Sequence, residues 1–97
     1  MRGLEALDFF LENWHSKMRE FDDFCEFDAL VEYHFGRESK VYNAPVMVEK
    51  YFERKITFSG IEEINEFLPE DVEFDPESGN LYIKRNLFEI KIAPKIC

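Results

Sequence analysis

The residues of this chain that could do covalent or metal chemistry are few, and their spacing keeps them apart. There are two histidines and two cysteines: His15, His34, Cys25 and Cys97. None forms the C-x-x-C or H-x-x-x-H pairs from which zinc sites are built. Ser16 follows His15 directly, but adjacent residues on a helix point about 100° apart, so the two cannot act as a nucleophile and its base. The remaining serines show no nucleophile elbow. The four glycines are isolated, so no phosphate-cradling loop exists. Glu38-Ser39-Lys40 and Glu89-Ile90-Lys91 carry the D/E-x-K spacing of PD-(D/E)xK nucleases. The first lies in a turn with no apolar run before it. The second follows the short second helix expected below, whereas the nuclease motif precedes it. The expectation is no catalytic residue, no metal and no cofactor. A divalent-metal nuclease using Glu89 and Lys91 or the Asp71–Asp75 region is the enzymatic alternative.

Carboxylates are the abundant functional group. Net charge is −9 and unevenly distributed. Residues 1–36 carry nine acids and three bases, and residues 37–60 three acids and five bases. Residues 61–78 carry eight acids and no base, and residues 79–97 one acid and four bases. In the third block Asp71, Glu73 and Asp75 alternate with Val72 and Phe74, so a strand would line up three carboxylates at about 7 Å steps. Phosphates on one strand of a duplex recur at about the same interval. The partner-binding candidates are therefore Glu63, Glu66, Glu70, Asp71, Glu73 and Asp75, facing a basic protein. The competing reading is a solvated face that keeps the chain soluble. Direct nucleic-acid binding is not expected, because it depends on Lys and Arg set against phosphates. Lys84, Arg85, Lys91 and Lys95 are better read as guards of a hairpin edge.

These groups need elements to hold them. Leu4, Leu7, Leu11, Trp14, Met18, Phe21 and Cys25 recur at three- and four-residue intervals, which predicts a helix over 4–25, roughly 33 Å long. The period then becomes two: Phe27, Ala29, Val31, Tyr33 and Phe35 predict a half-buried strand. Residues 36–39 turn the chain, and Val41-Tyr42 begin the return, with Pro45 marking an edge or bulge. Residues 46–58 fit strand or helix. Their β-branched and aromatic content favours strand, with a break near Arg54-Lys55. Ser59 and Glu62 read as a capping box before a short helix of Ile61, Ile64, Phe67 and Leu68. Val72 and Phe74 form a brief strand. Asp75-Pro76-Glu77-Ser78-Gly79 is a turn in which proline presets one φ and glycine supplies a positive one. Leu81 and Ile83, then Phe88, Ile90 and Ile92, form the last two strands. The expected fold is α+β: a long N-terminal helix on an antiparallel sheet of about five or six strands, with one short second helix. Leu7, Leu11, Trp14 and Met18 would be buried against Val31, Tyr33, Ile83 and Ile90.

Ninety-seven residues suit a single acidic domain over 1–97, and 45% apolar residues with eleven Phe supply a core. No apolar run approaches the ~20 residues that span a bilayer. Met1-Arg2-Gly3-Leu4-Glu5 brings in an acid where a signal peptide would be apolar, which predicts a cytoplasmic protein. Two cysteines are too few for a disulfide scaffold. Fifteen Glu with no Gln is a thermophile-like balance, which leaves a Cys25–Cys97 bridge open, while five Asn and three Met point the other way. The expected function is a non-enzymatic protein-binding module of the inhibitor, immunity or antitoxin kind, or an adaptor from a mobile element. The other alternative is a structural subunit or homodimer joined through apolar surface.

Overall fold

A computed structural model describes residues 2–95. One helix, α1 (Leu4–Trp14), continues into a 3-10 turn at His15–Lys17. Eight strands follow: β1 (Arg19–Glu20), β2 (Phe24–Phe35), β3 (Glu38–Glu49), β4 (Ile56–Phe58), β5 (Glu66–Phe67), β6 (Val72–Phe74), β7 (Leu81–Arg85) and β8 (Phe88–Pro94). All pair antiparallel in one curled, half-barrel sheet of order β5-β4-β3-β2-β8-β7-β6, with β1 beside β2. The connectivity forces the curl. Seven strands laid flat would separate β5 from β6 by about 29 Å. The chain passes from Phe67 to Val72 in five residue steps, which reach about 18 Å at most. Across the curl, the rings of Phe67 and Phe88 lie 5.7 Å apart.

β2 and β3 are the spine. They pair over twelve consecutive positions, from Phe24↔Glu49 to Phe35↔Glu38. Gly36 occupies the first of the two turn residues at φ 58, where a two-residue hairpin loop favours glycine. The alternation expected over 27–35 holds in its first half: Phe27, Ala29 and Val31 are buried. Tyr33 is half-buried and Phe35 is exposed, because they run past the core toward the hairpin tip. Pro45 sits inside β3 rather than at an edge. Its carbonyl accepts from the Ser59 amide at 3.1 Å, on the side facing β4. Its missing donor therefore falls where β4, which pairs only from Val46, has ended.

The long helix is not formed. α1 has eleven residues, and Met18 is already extended at φ −104, ψ 151. Phe24 and Cys25, read as the end of the helical stripe, belong to β2, opposite Glu49 and Val48. Between them Phe21 donates its amide to the Phe24 carbonyl at 2.9 Å, turning β1 back on β2. The helix lacks a basic residue in its last turn, and Asp22-Asp23 would have opposed its dipole. Its buried face is Ala6, Leu7 and Phe10, with the Phe10 ring against Phe27 and Phe74 at 5.4 and 6.1 Å. Leu11, Trp14 and Met18 are only partly buried, and Leu4 is exposed.

The short second helix is also absent. Glu62–Ile64 and Pro69–Asp71 are single 3-10 turns flanking β5. Ile61, Ile64 and Phe67 are buried and Leu68 is exposed, but Phe67 reaches the core from β5, paired opposite Ile56, and not from a helix face. No side chain caps the Glu62–Ile64 turn. The sheet accordingly has seven strands in its main path and an eighth, rather than five or six. The free edge of β6 is covered by the chain before α1. Arg2 bridges Glu73, and the Gly3 amide donates to the Val72 carbonyl at 2.8 Å. No helix among the described residues is long and apolar enough to cross a membrane.

Candidate functional site

The six candidate carboxylates do not form one surface. Val72, Glu73 and Phe74 pair with Ile83, Tyr82 and Leu81, which puts Val72 and Phe74 in the core. Asp71, Glu73 and Asp75 are then left on the outer face, as the alternation predicts. Each is already engaged. Asp71 accepts from Arg85 Nε at 2.6 Å, and Glu73 lies 3.9 Å from Lys84 Nζ. Asp75 organises its own turn, accepting from Ser78 Oγ at 2.8 Å and the Glu77 amide at 3.1 Å. The Ser78 hydroxyl, followed by the Glu77 amide, holds the Asp75 carboxyl below its usual range.

Glu63 and Glu66 lie at the β5 end of the sheet. Glu63 accepts from Tyr42 Oη at 3.2 Å and Lys40 Nζ at 3.4 Å. Its own backbone amide, with Tyr42 and Lys40 adding to it, lowers its pKa against the opposing desolvation. Glu66 pairs with Lys55 at 3.5 Å. Glu70 stands exposed in the connection between the two edges.

Asp71 and Glu73 line an open cleft of about 710 Å³ at the tips of the two long hairpins, with Arg2, Lys84 and Arg85 as cations and Phe35, Leu87 and Phe88 as apolar walls. The Arg85 guanidinium lies 5.1 Å from the Phe67 ring and 5.7 Å from the Phe88 ring while bonded to Asp71. Such an arrangement neutralises its own charge. Glu89 of the second D/E-x-K match is 3.7 Å from Lys84. Glu38 and Lys40 of the first sit in β3, and Lys40 is committed to Glu63. No group of three or more His, Cys, Asp or Glu among the described residues is placed to hold a metal ion. His15 contacts the Glu12 carbonyl at 3.2 Å, and His34 lies 3.8 Å from Glu32. Cys25 is buried, and desolvation raises its thiol pKa. Its pairing with Cys97 lies outside the described residues.

Residues 46–49 and 56–58 are strand, as favoured, and the break expected near Arg54-Lys55 is a loop over residues 50–55. What the sequence reading missed is the length of this loop and its exposed aromatic tip. Phe52 is 100% exposed and Tyr51 59%. Phe52 and Arg54 adopt φ 62 and φ 57, and no other described non-glycine residue has a positive φ. The loop is pinned at several points. Arg54 donates from Nε to the Glu49 carbonyl at 3.1 Å and from Nη2 to Asp8 at 2.8 Å. The Lys55 amide donates to Glu49 Oε1, and the Lys50 amide to the Asp23 carbonyl, both at 2.9 Å. One signal could have found it: an aromatic pair flanked by Glu49-Lys50 and Glu53-Arg54-Lys55, a charge pattern that suits neither a strand nor a helix face. Compared with protein-family models, with curated proteins and with solved structures, the chain matches none.

Proposed function

We propose that this chain is a non-catalytic, cytoplasmic protein-binding domain whose acidic surface engages a basic partner, such as a nucleic-acid-binding protein. One observation carries the reading: no charged side chain among the described residues is buried. A net charge of −9 therefore projects outward as a field. Such a field steers association with a cation-rich surface. Catalytic groups are more often found converging in a concave pocket that perturbs them.

The test is recovery of partners from host cells at low and high salt, followed by association kinetics with the recovered partner. Reversing Asp71, Glu73 and Asp75 to Lys should slow association tenfold or more. Reversing Asp22 and Asp23 controls for total charge. Equal slowing per charge in both variants assigns the effect to net charge alone. Association that is insensitive to salt removes the proposal. Self-association measured by sedimentation would favour the homodimer. Cleavage of DNA or RNA with Mg²⁺ or Mn²⁺ that is lost on Glu89→Ala would favour the nuclease.

A further inference from the structure

We infer that the Lys50–Lys55 loop is the anchor by which this domain docks on its partner, with Phe52 entering an apolar socket rimmed by Lys and Arg. The inference rests on the reading of the chain as a binder of a basic protein, and it moves the centre of that contact away from β6.

Three observations combine. The first is presentation. A fully exposed phenylalanine contributes nothing to the core, yet Phe52 stands on a loop tied to its surroundings through Arg54, Lys55 and Lys50. Rigid aromatic side chains are the commonest energetic centres of protein interfaces, because they bury a large area at small entropic cost. The second is strain. Left-handed backbone at Phe52 and Arg54 is unfavourable for residues with a Cβ. Strain of this kind persists where the scaffold over-determines the conformation, and it concentrates at functional sites. Folding alone would be served better by glycine at position 52.

The third observation is charge, and it selects the partner. The side chains and carbonyls tied to the loop belong to Asp8, Glu20, Asp23, Glu49 and Glu66, and the loop adds Glu53. Asp23 contributes only its backbone carbonyl, so five carboxylates stand against three cations, Lys50, Arg54 and Lys55, and the rim is net −2. Beside it, Leu4, Leu68 and Pro69 line a shallow groove of about 590 Å³ with Glu53, Glu70 and one cation, Arg2, at its border. An acidic rim repels nucleic acid. It also repels the same rim on a second copy of this chain, which makes self-association here unfavourable. The complementary surface is a heterologous protein with an apolar pocket bordered by basic side chains.

The test places a photoreactive phenylalanine analogue at position 52 of the full chain in its native host, and at Val41, an exposed apolar residue of β3 that lines neither the cleft nor the loop, as the control. The expected result is a specific adduct from position 52 alone, whose crosslinked peptide lies at an apolar site flanked by Lys or Arg. Binding of the purified partner is then measured with Phe52→Gly, Phe52→Trp and Val41→Ala. Phe52→Gly should weaken binding at least about 30-fold. The same variant should raise Tm by roughly 4 °C through relief of the left-handed strain, so misfolding cannot account for the loss. Phe52→Trp should retain binding and Val41→Ala should leave it unchanged. No adduct at position 52, an equal adduct at position 41, an adduct to a second copy, or an acidic socket each overturns the inference. A salt-sensitive partner that responds to reversal of Asp71, Glu73 and Asp75 but not to Phe52→Gly would overturn the anchor and leave the wider reading standing. A partner lost with Phe52 but indifferent to salt and to charge reversal would remove that wider reading, and the basic socket with it.

Discussion

The Asp75–Gly79 turn and the Lys50–Lys55 loop both pass through left-handed backbone, and they do so with different residues. The Asp75–Gly79 turn closes on Gly79 at φ 76, whereas the Lys50–Lys55 loop uses Phe52 and Arg54 at φ 62 and φ 57. In the turn the conformation is inexpensive and the absence of a side chain is required. A Cβ on Gly79 would sit 2.9 Å from Trp14 Cζ2, and the Gly79 carbonyl accepts the indole N–H of Trp14 at 2.7 Å. In the loop the conformation costs about 1–2 kcal/mol per residue. One of the two side chains that bear this cost, Phe52, is fully exposed. The turn is thus shaped by the needs of the fold. The loop keeps a residue for which the fold has no use.

Substitutions at the two sites should therefore have opposite signs. The largest effect belongs to Gly79→Ala, where an unfavourable φ and overlap with the Trp14 ring combine to cost about 2–4 kcal/mol in denaturant unfolding. If this variant matches the parent, the helix is not seated on the turn as described. Trp14→Phe keeps an aromatic ring but deletes the hydrogen bond to Gly79, and should cost about 1–2 kcal/mol by the same measurement. Phe52→Gly should go the other way, gaining up to about 1 kcal/mol. A loss there would mean that Phe52 packs on something and that the contrast between the loops fails.

The smallest effect is a pH dependence. The Asp75 carboxyl is held below its usual range by Ser78 and by the Glu77 amide. A group with a depressed folded pKa binds fewer protons in the native state. Its stabilisation is present above the unfolded value of about 3.9 and is lost as pH falls through the lower folded value. Unfolding midpoints measured from pH 6 down to pH 2 should show a steeper acid decline in the parent than in Asp75→Asn. Identical declines would mean that the turn does not depend on this carboxylate.

Local rules made part of this protein legible. Alternation placed Phe27, Ala29 and Val31 inside and assigned β6, β7 and β8, because a strand with one buried face must repeat every two residues. The Asp-Pro-Glu-Ser-Gly turn could be read residue by residue, since each contributes a property that needs no distant partner. The charge distribution followed from counting. Tertiary structure decided the rest. The stripe from Leu4 to Cys25 satisfies a helix over its whole length, but the β2 ladder needed Phe24 and Cys25, and twelve paired positions outweighed three more turns of an exposed helix end. Ile61, Ile64, Phe67 and Leu68 fit an α face, but pairing of Glu66-Phe67 with Thr57 and Ile56 of β4 made that stretch a strand and left only a single 3-10 turn before it. The acidic block appeared continuous in sequence. It was divided because the chain crosses from β5 to β6 within it, and each half met different cations, Lys40 and Lys55 on one side and Lys84 and Arg85 on the other. Phe52 was hidden among strand-forming neighbours. A side chain's exposure depends on what packs around it, and spacing along one segment does not carry that information.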